Sequence, residues 1–276
     1  MACCGMISAR SAVPERFADS VRMDEVIVTG SRPAVNLRNL PMSVSVVEER
    51  QIERRFEPTL LPVLTEQVPG LFITGRGVMG YGVAAGAAGG MKIRGVGGEP
   101  TSGVLVLIDG HPQYMGLMGH PLADSYQSMN AEQVEVVRGP ASILYGSNAM
   151  GGVVNIITKK GQADGVYNTA RLMYGSFNTL NVEVSNAVRK GKFNSFAALN
   201  YSHTDGHRKD MGFGGWGGYL KLGYDFTAHW KAFADVNLNH FAASNPGSVT
   251  APLIDNDALI TRGMTSFSLD NRYERT

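Results

Sequence analysis

The segment Arg138–Lys160 constrains the fold more than any other part of this chain. It reads RGPASILYGSNAMGGVVNIITKK; a strand-like run, Glu132–Val137, precedes it, and its second half contains the β-branched run Val153–Thr158. Glycines between these runs permit positive φ angles and close approach of the backbone. The segment predicts two strands joined by a compact small-residue loop, although an ordinary glycine-rich hairpin has the same local signals.

Composition excludes several classes of protein. The chain has 276 residues, a formal net charge of +1 and 18% charged residues, so it has no basic surface for nucleic acid. Its 34 glycines are typical of a turn-rich protein rather than a helical bundle. Cys3 and Cys4 are adjacent and cannot form a disulfide framework or a spaced metal site. No apolar run is long enough for a transmembrane helix. Barrel strands alternate apolar and polar residues, so a hydropathy average over a window does not detect them.

The N-terminal region divides into two parts. Residues 1–23 lack the basic and apolar regions of a signal peptide and are predicted to be a disordered leader. Residues 24–35 contain a short β-prone run flanked by charge, glycine and proline. Such an exposed run near a terminus can add a strand to a partner's sheet edge, although an ordinary first strand explains it equally well.

Residues 36–160 mix strands with short helices, which indicates a compact α+β domain. Ser43–Val47 and Val104–Pro112 are predicted strands, and the second contains an Asp-Gly turn. Helices are predicted from Glu48 and over Glu57–Gln67, where Pro62 has to lie near a helix start.

After Gly161 the hydrophobic pattern changes to alternation with period two. In Trp230–Phe241, for example, Val236 and Leu238 share one face and Asp235 and Asn237 the other. This pattern is typical of transmembrane barrel strands, which are apolar toward lipid and polar toward the lumen. The predicted strands are Val166–Tyr174, Thr179–Val188, Phe193–Asp205, Trp216–Phe226, Trp230–Phe241 and Met264–Tyr273.

Six strands are too few to close an outer-membrane barrel, so residues 161–276 are predicted to be the truncated start of a longer one. A soluble β-sandwich built from the same strands is the alternative. Asp205–Gly215 and Ala243–Gly263 are the predicted outer loops. Aromatic residues near the strand ends are typical of an interfacial girdle; they are Tyr174, Tyr201, Trp216, Tyr224, Phe226 and Trp230.

Several pieces together resemble one family. They are NLPMSVSVV, LTEQVPGLFI, KIRGVGG, VLVLIDGHP and EQVEVVRGPASILYGSNAMGGVVNIITKK, and they resemble the plug domain of TonB-dependent outer-membrane receptors. The resemblance implies an α+β plug domain over 36–160, held inside an antiparallel 22-stranded transmembrane β-barrel. It also implies energised uptake of a scarce chelate (iron–siderophore, heme or cobalamin) across the bacterial outer membrane, with no bond chemistry and no cofactor of the protein's own.

The resemblance assigns the β-prone run near the N-terminus to a TonB box. In the family this segment binds TonB, which an inner-membrane complex energises. Here it comprises Glu25, Val26, Ile27, Val28, Thr29 and Gly30.

The resemblance also implies that loops at the outward apex of the plug domain contact the ligand. The candidate residues are Arg76, Tyr81, His111, Gln113, Tyr114, Met115 and His120. His111 or His120 would suit a heme-iron ligand, since histidine is an axial ligand of iron; no protein-bound metal is otherwise predicted. The alternative is that these are ordinary loop residues packed against the barrel wall.

Two arginines in the plug-like motifs, Arg94 and Arg138, are predicted to lock the plug domain to the barrel. In the family such arginines pair with barrel carboxylates, and a guanidinium suits a buried bidentate pair. The alternative is that each arginine caps a turn.

Other functions fit the sequence less well. No GxxxxGK[ST] phosphate loop and no G-x-S-x-G elbow is present, and no site combines a nucleophile with a base and an orienting group, so an enzyme is not expected. A non-transporting, plug-like periplasmic binding or signalling module, or an inactive truncated receptor, remains the alternative function.

Overall fold

The computed structural model describes residues 7–10, 43–75, 79, 90–98, 101–113, 123–252 and 257–271. Within these ranges, no helix has both the length and the apolar character needed to cross a membrane.

Among the described residues, the plug domain contains two sheets and three α-helices. Its elements are β2 (Ser43–Glu48), α1 (Glu49–Arg55), α2 (Leu60–Gln67), β3 (Leu71–Ile73), β4 (Met91–Ile93), β5 (Val96–Gly98), β6 (Val104–Ile108), β7 (His111–Pro112), β8 (Ala131–Arg138), α3 (Ser142–Tyr145) and β9 (Gly152–Thr158). The larger sheet has the order β2-β8-β9-β6-β7, in which only β6 and β9 are parallel, and β3-β4-β5 form a smaller antiparallel sheet.

The two longer helices begin where local chemistry allows. At the start of α1, the Glu48 backbone N–H donates to the Gln51 side chain over 2.9 Å, which satisfies one of the free amides of the first turn. Helix α2 begins at Leu60, later than the predicted Glu57, because Thr59 instead pairs with Gln127 in an isolated β-bridge. Pro62 therefore lies in the first turn of α2, where its missing N–H costs nothing.

The core of the plug domain is apolar and consists of two clusters, one on each face of the larger sheet. Helices α1 and α2 cover one face of the larger sheet, and all five residues of β6 are buried. This uninterrupted apolar run is typical of a central strand with a parallel neighbour. The core residues that α2 contributes are Leu60, Leu61, Val63 and Leu64.

A second, antiparallel sheet follows the plug domain and is named the outer sheet here. Its strands are β10 (Gly165–Gly175), β11 (Thr179–Lys190), β12 (Phe193–Thr204), β13 (Phe213–Asp225), β14 (Trp230–Ser244) and β15 (Asp257–Asn271), in that order. The fold thus confirms the predicted α+β plug domain followed by antiparallel strands, and these strands do not close into a barrel.

Two predicted outer loops are shorter in the structure. Strand β15 begins at Asp257 rather than Met264, because Asp257–Gly263 pair with Leu238–Ser244 of β14. Similarly, β13 begins at Phe213, within the predicted loop. Both segments carry glycines and polar residues typical of loops, and pairing with the neighbouring strand overrides that local preference.

Four residues of the expected leader form a strand. β1 (Ile7–Arg10) pairs antiparallel with β10, the first strand of the outer sheet. At these positions the structure departs from the disordered leader that the sequence predicts. The pairing covers part of the otherwise open edge of β10.

The two faces of the outer sheet differ as the alternation predicts. Val236 is 47% exposed on the outer face, whereas Asp235 and Asn239 are each 3% exposed on the inner face, toward the plug domain. Connections at one end, the long-loop end, span residues 205–212 and 245–256; at the other, the short-turn end, they span 191–192 and 226–229. All six aromatic residues predicted near the strand ends are exposed: Tyr174, Tyr201, Trp216, Tyr224, Phe226 and Trp230.

Candidate functional site

A buried polar cluster joins the plug domain to the outer sheet. Lys221 of β13 donates from Nζ to Asp109 Oδ2 over 2.8 Å and to Thr158 Oγ1 over 2.9 Å. Thr158 Oγ1 also donates to Asp109 Oδ2 over 2.6 Å and lies 3.0 Å from the Tyr219 hydroxyl. Asp109, Thr158, Tyr219 and Lys221 are called the anchor cluster below.

The plug sheet positions both plug residues of the anchor cluster. Asp109 and Gly110 form the tight turn between β6 and β7, with φ values of 47° and 84°, a conformation that Asp-Gly sequences favour. Thr158 ends β9, the parallel neighbour of β6, and its N–H donates to Asp109 Oδ1 over 3.0 Å. Two plug segments therefore present their polar groups to one lysine.

The anchor cluster holds a shielded ion pair. The Lys221 and Asp109 side chains are only 8% and 9% exposed, and Lys221 Nζ lies 4.3 Å from the centroid of the Phe233 ring. The ring face adds a cation–π attraction to the hydrogen bonds of the ammonium. Removing one partner of such a pair leaves a buried, uncompensated charge, which is far more costly than losing an exposed pair.

Further contacts flank the anchor cluster on β15. His111 Nε2 lies 2.8 Å from Ser268 Oγ, and its ring packs edge-on against Phe233. Gln113 is completely buried; its Nε2 lies 3.1 Å from the Met264 sulfur, and its Oε1 accepts from Arg262 Nη2 over 2.6 Å. The β7 segment of the plug domain is thus bound to the outer sheet mainly through polar groups.

The first turns of the plug domain are held by charge. Lys159 Nζ lies 2.8 Å from Glu49 and 3.3 Å from Glu53, both on α1. Beside them, Arg171 of β10 pairs with Glu183 of β11 over 2.9 Å. Lys159 thus holds α1 to the end of β9, and the Arg171–Glu183 pair lies beside it within the outer sheet.

The boundary between the plug domain and the outer sheet contains a carboxyl group with a perturbed pKa. Glu132 Oε1 accepts a hydrogen bond from Gln162 Nε2 over 2.9 Å. Burial raises the pKa of Glu132 above its usual value, and the positive charge of Lys160 only partly opposes this.

The predicted ligand contacts His111 and Gln113 lie against β15, and their contact with a ligand stays a prediction. Met79, in the loop that was predicted to form the apex, packs with Phe213 and Phe241 near the long-loop end of the outer sheet. His111 instead contacts Ser268, toward the short-turn end, and Gln113 is buried against β15. From His111 the chain runs toward the long-loop end, because Gln113 contacts Met264 and Arg262, which precede Ser268 in β15.

The other predicted ligand contacts and the predicted TonB box lie outside the described residues. The ligand-contact residues concerned are Arg76, Tyr81, Tyr114, Met115 and His120, and the box residues are Glu25, Val26, Ile27, Val28, Thr29 and Gly30.

Arg94 and Arg138 meet at one turn of the plug domain. Arg138 Nη1 donates to the Pro69 carbonyl over 3.2 Å, and the Arg94 backbone N–H donates to the Gly70 carbonyl over 2.8 Å. In the part of the chain that the structure describes, neither arginine pairs with a carboxylate. Locking by these arginines therefore stays a prediction.

Sequence reasoning missed the anchor cluster. Asp109 was interpreted only as a turn residue, and Lys221 only as part of an alternating strand. One signal was available: Lys221 occupies an inward position of β13, flanked by the inward Tyr219 and Gly223, where a cation requires a partner. That partner is 112 residues away in sequence, so no local pattern identifies it.

Comparison with known proteins points to one family. Residues 36–153 match the family model of the TonB-dependent Receptor Plug Domain. The "Iron-regulated outer membrane virulence protein" of Vibrio cholerae is 34% identical over 167 residues, which cover 57% of this chain and 23% of that protein. The chain thus spans about a quarter of the length of this relative.

Solved structures share the fold at low sequence identity. FpvA of P. aeruginosa, in a complex with a pyoverdine and iron, aligns with a TM-score of 0.67 and 15% identity, over 89% of this chain and 34% of FpvA. The alcaligin outer-membrane receptor FauA of Bordetella pertussis aligns with a TM-score of 0.62 and 20% identity, over 81% of this chain and 36% of FauA.

The plug-domain match covers the α+β domain, and the outer sheet follows it as the first barrel strands follow a plug in these receptors. The chain therefore contains a region, residues 36–153, that matches the plug domain of TonB-dependent receptors, and the antiparallel outer sheet follows this region.

Proposed function

We propose that the receptor to which this chain belongs takes up an iron–siderophore chelate across the bacterial outer membrane, energised by TonB. The observation that carries this proposal is the plug-domain match over residues 36–153, followed by a sheet whose inner face packs on that domain. The similarity to an iron-regulated outer-membrane protein and to pyoverdine and alcaligin receptors favours an iron chelate.

In this proposal the plug domain gates the barrel. The ligand binds at the long-loop end, toward which Met79 packs, and Glu25–Gly30 bind TonB. The ligand contacts proposed there are Arg76, Tyr81, Tyr114, Met115 and His120. The anchor cluster keeps the plug domain against the wall until TonB pulls, and the protein breaks no covalent bond.

Heme is a less favoured cargo. The His111 ring is engaged by Ser268 and Phe233, so it is not free to bind iron in this conformation. Titration with hemin tests the remaining candidate, His120: a Soret shift that disappears on His120→Ala would restore heme to the proposal.

Deleting Glu25–Gly30 in the receptor tests energised transport. Uptake of radioactive ferric siderophore should be abolished, while binding of the same chelate to cells should be retained, because the deleted residues are remote from the proposed ligand site. Scrambling residues 31–36 serves as the matched control. Undiminished uptake after the deletion would remove the TonB-box assignment, whereas binding without uptake in the unmodified receptor would favour a non-transporting binding module.

A further inference from the structure

Arg262 differs from the other basic side chains that the outer sheet directs toward the plug domain and its linker. Each of the others has a carboxylate partner: Arg171 with Glu183 at 2.9 Å, Arg189 with Asp225 at 2.7 Å and Lys221 with Asp109 at 2.8 Å. Within the described ranges, Arg262 has none; its side-chain contacts are Gln113 Oε1 at 2.6 Å and the Met264 sulfur at 3.7 Å.

A half-buried guanidinium without an anionic partner has more N–H donors than the acceptors around it can satisfy. Arginine stays charged, presents five N–H donors in one plane and is rarely withdrawn from water unless paired. The Gln113 amide is a neutral acceptor and satisfies only part of this demand. The Tyr126 side chain is 1% exposed, its hydroxyl has no hydrogen-bond partner in the structure, and it lies within electrostatic range of Arg262.

The wall beside Arg262 is polar, and the first carboxylate in its row of the sheet is Glu183, four strands away and already paired with Arg171. In the strand register, Arg262 pairs with Asn239, which pairs with Gly217, which pairs with Asn200. Both asparagine side chains occupy the space above Gly217. A Cβ at this position would lie 2.4 Å from Asn200 Oδ1 and 2.6 Å from Asn239 Oδ1. A row of amides on the inner face therefore ends at one unpaired cation.

We propose that Arg262 is an anion-recognition residue on the path of the ligand through the lumen, covered at rest by Gln113 and able to bind the anionic oxygens of a metal chelate. This inference rests on the proposed function and narrows the cargo to chelates with exposed anionic oxygen, such as a catecholate or carboxylate. Charge-assisted hydrogen bonds to such oxygens are about twice as strong as those to a neutral amide.

Gln113 moves with the plug domain because it is tied to it. Its backbone N–H donates to the Val106 carbonyl over 2.9 Å, and its Nε2 donates to the His111 carbonyl over 2.9 Å. Arg262 belongs to the wall. Displacement of β7 therefore removes the amide from Arg262 and opens the guanidinium to the lumen.

Two ferric probes of opposite character test the proposal in the full receptor: a trianionic tris-catecholate and a neutral tris-hydroxamate. Arg262→Gln should lower the ratio of tris-catecholate to tris-hydroxamate uptake by about tenfold, as expected for the loss of one charge-assisted contact. Arg262→Lys should restore much of the ratio, and Arg189→Gln, which removes a paired arginine, should leave it unchanged. An unchanged ratio in Arg262→Gln, or an equal fall for both probes, would overturn the proposal.

A second variant tests the role of Gln113. Gln113→Glu places a carboxylate against Arg262, and the resulting ion pair should slow uptake of both probes while surface binding stays constant. Uptake as fast as in the unmodified receptor would contradict the proposed cover. These failures are distinct from failure of the proposed transport function, which would appear as no uptake of either probe by the unmodified receptor.

Discussion

The interior of the plug domain and its contact with the outer sheet are held by different forces. Inside the plug domain, two helices and two sheets bury a large apolar cluster, and a second apolar cluster lies on the other face of the larger sheet. Between the plug domain and the outer sheet, the close contacts are the Asp109–Lys221 ion pair, the Gln113–Arg262 hydrogen bond and the His111–Ser268 contact. Among the described residues, two small apolar clusters span the boundary: one comprises Met129, Phe196, Ala198 and Tyr219, and in the other Met79 packs on Phe213, Phe241 and Ala243.

Because of this difference, the plug domain can be stable in itself and still separate from the outer sheet. Apolar burial scales with area and is lost only when the domain unfolds. Polar contacts can be exchanged for water, so separation of the two surfaces costs less than their number suggests. The plug domain is thus built to separate from the wall while most of its own core persists.

The largest expected loss of stability comes from damage to the interior of the plug domain. Gly152→Ala should destabilise the plug domain by about 3 kcal/mol or more, because the new Cβ would lie 2.2 Å from the Val137 carbonyl oxygen and 2.9 Å from Ile93 Cδ1, at a φ of +151°. Urea unfolding measures the change. Gly175→Ala, at a site with no atom within 4 Å of the added Cβ, is the control and should be near neutral; equal effects would refute this packing argument.

The boundary itself is tested by Lys221→Met. Asp109 then stays buried without its partner, and the contact should lose about 3–5 kcal/mol. A double-mutant cycle of Lys221→Met with Asp109→Asn measures the coupling free energy between the two side chains. This coupling energy should account for much of the loss. As the control, Lys190→Met, at an exposed strand end, should change stability little. A coupling energy near zero would show that the anchor cluster does not stabilise the contact between the plug domain and the outer sheet.

The smallest expected effect concerns pH. Because burial raises the folded-state pKa of Glu132, its protonated form is favoured by folding, and this contribution is present at acidic pH and lost as pH rises through the folded pKa. Glu132→Gln should therefore flatten the fall in stability that begins as the pH rises above the ordinary pKa of glutamate. Thermal melts over a pH series measure the slope; an identical slope in both proteins would show that Glu132 does not contribute.

The sequence predicts those elements whose pattern lies within a short stretch of neighbouring residues. Alternation identifies all six strands of the outer sheet, and the β-branched run after Gly152 identifies β9. The start of β15 was missed because Asp257–Gly263 carries loop-like residues whose pairing depends on β14. The anchor cluster was missed for a similar reason, since Asp109 and Lys221 meet only when the plug domain packs on β13.

The most direct test compares the opening of the boundary with the opening of the plug core in unmodified protein. Lys221 is 8% exposed and should resist acylation until the plug domain leaves the wall, whereas Lys190 is exposed and should react throughout. Over a urea series, the account predicts that Lys221 becomes reactive while the buried Val154 amide still resists hydrogen exchange. Simultaneous loss of both protections would contradict a boundary that opens before the core.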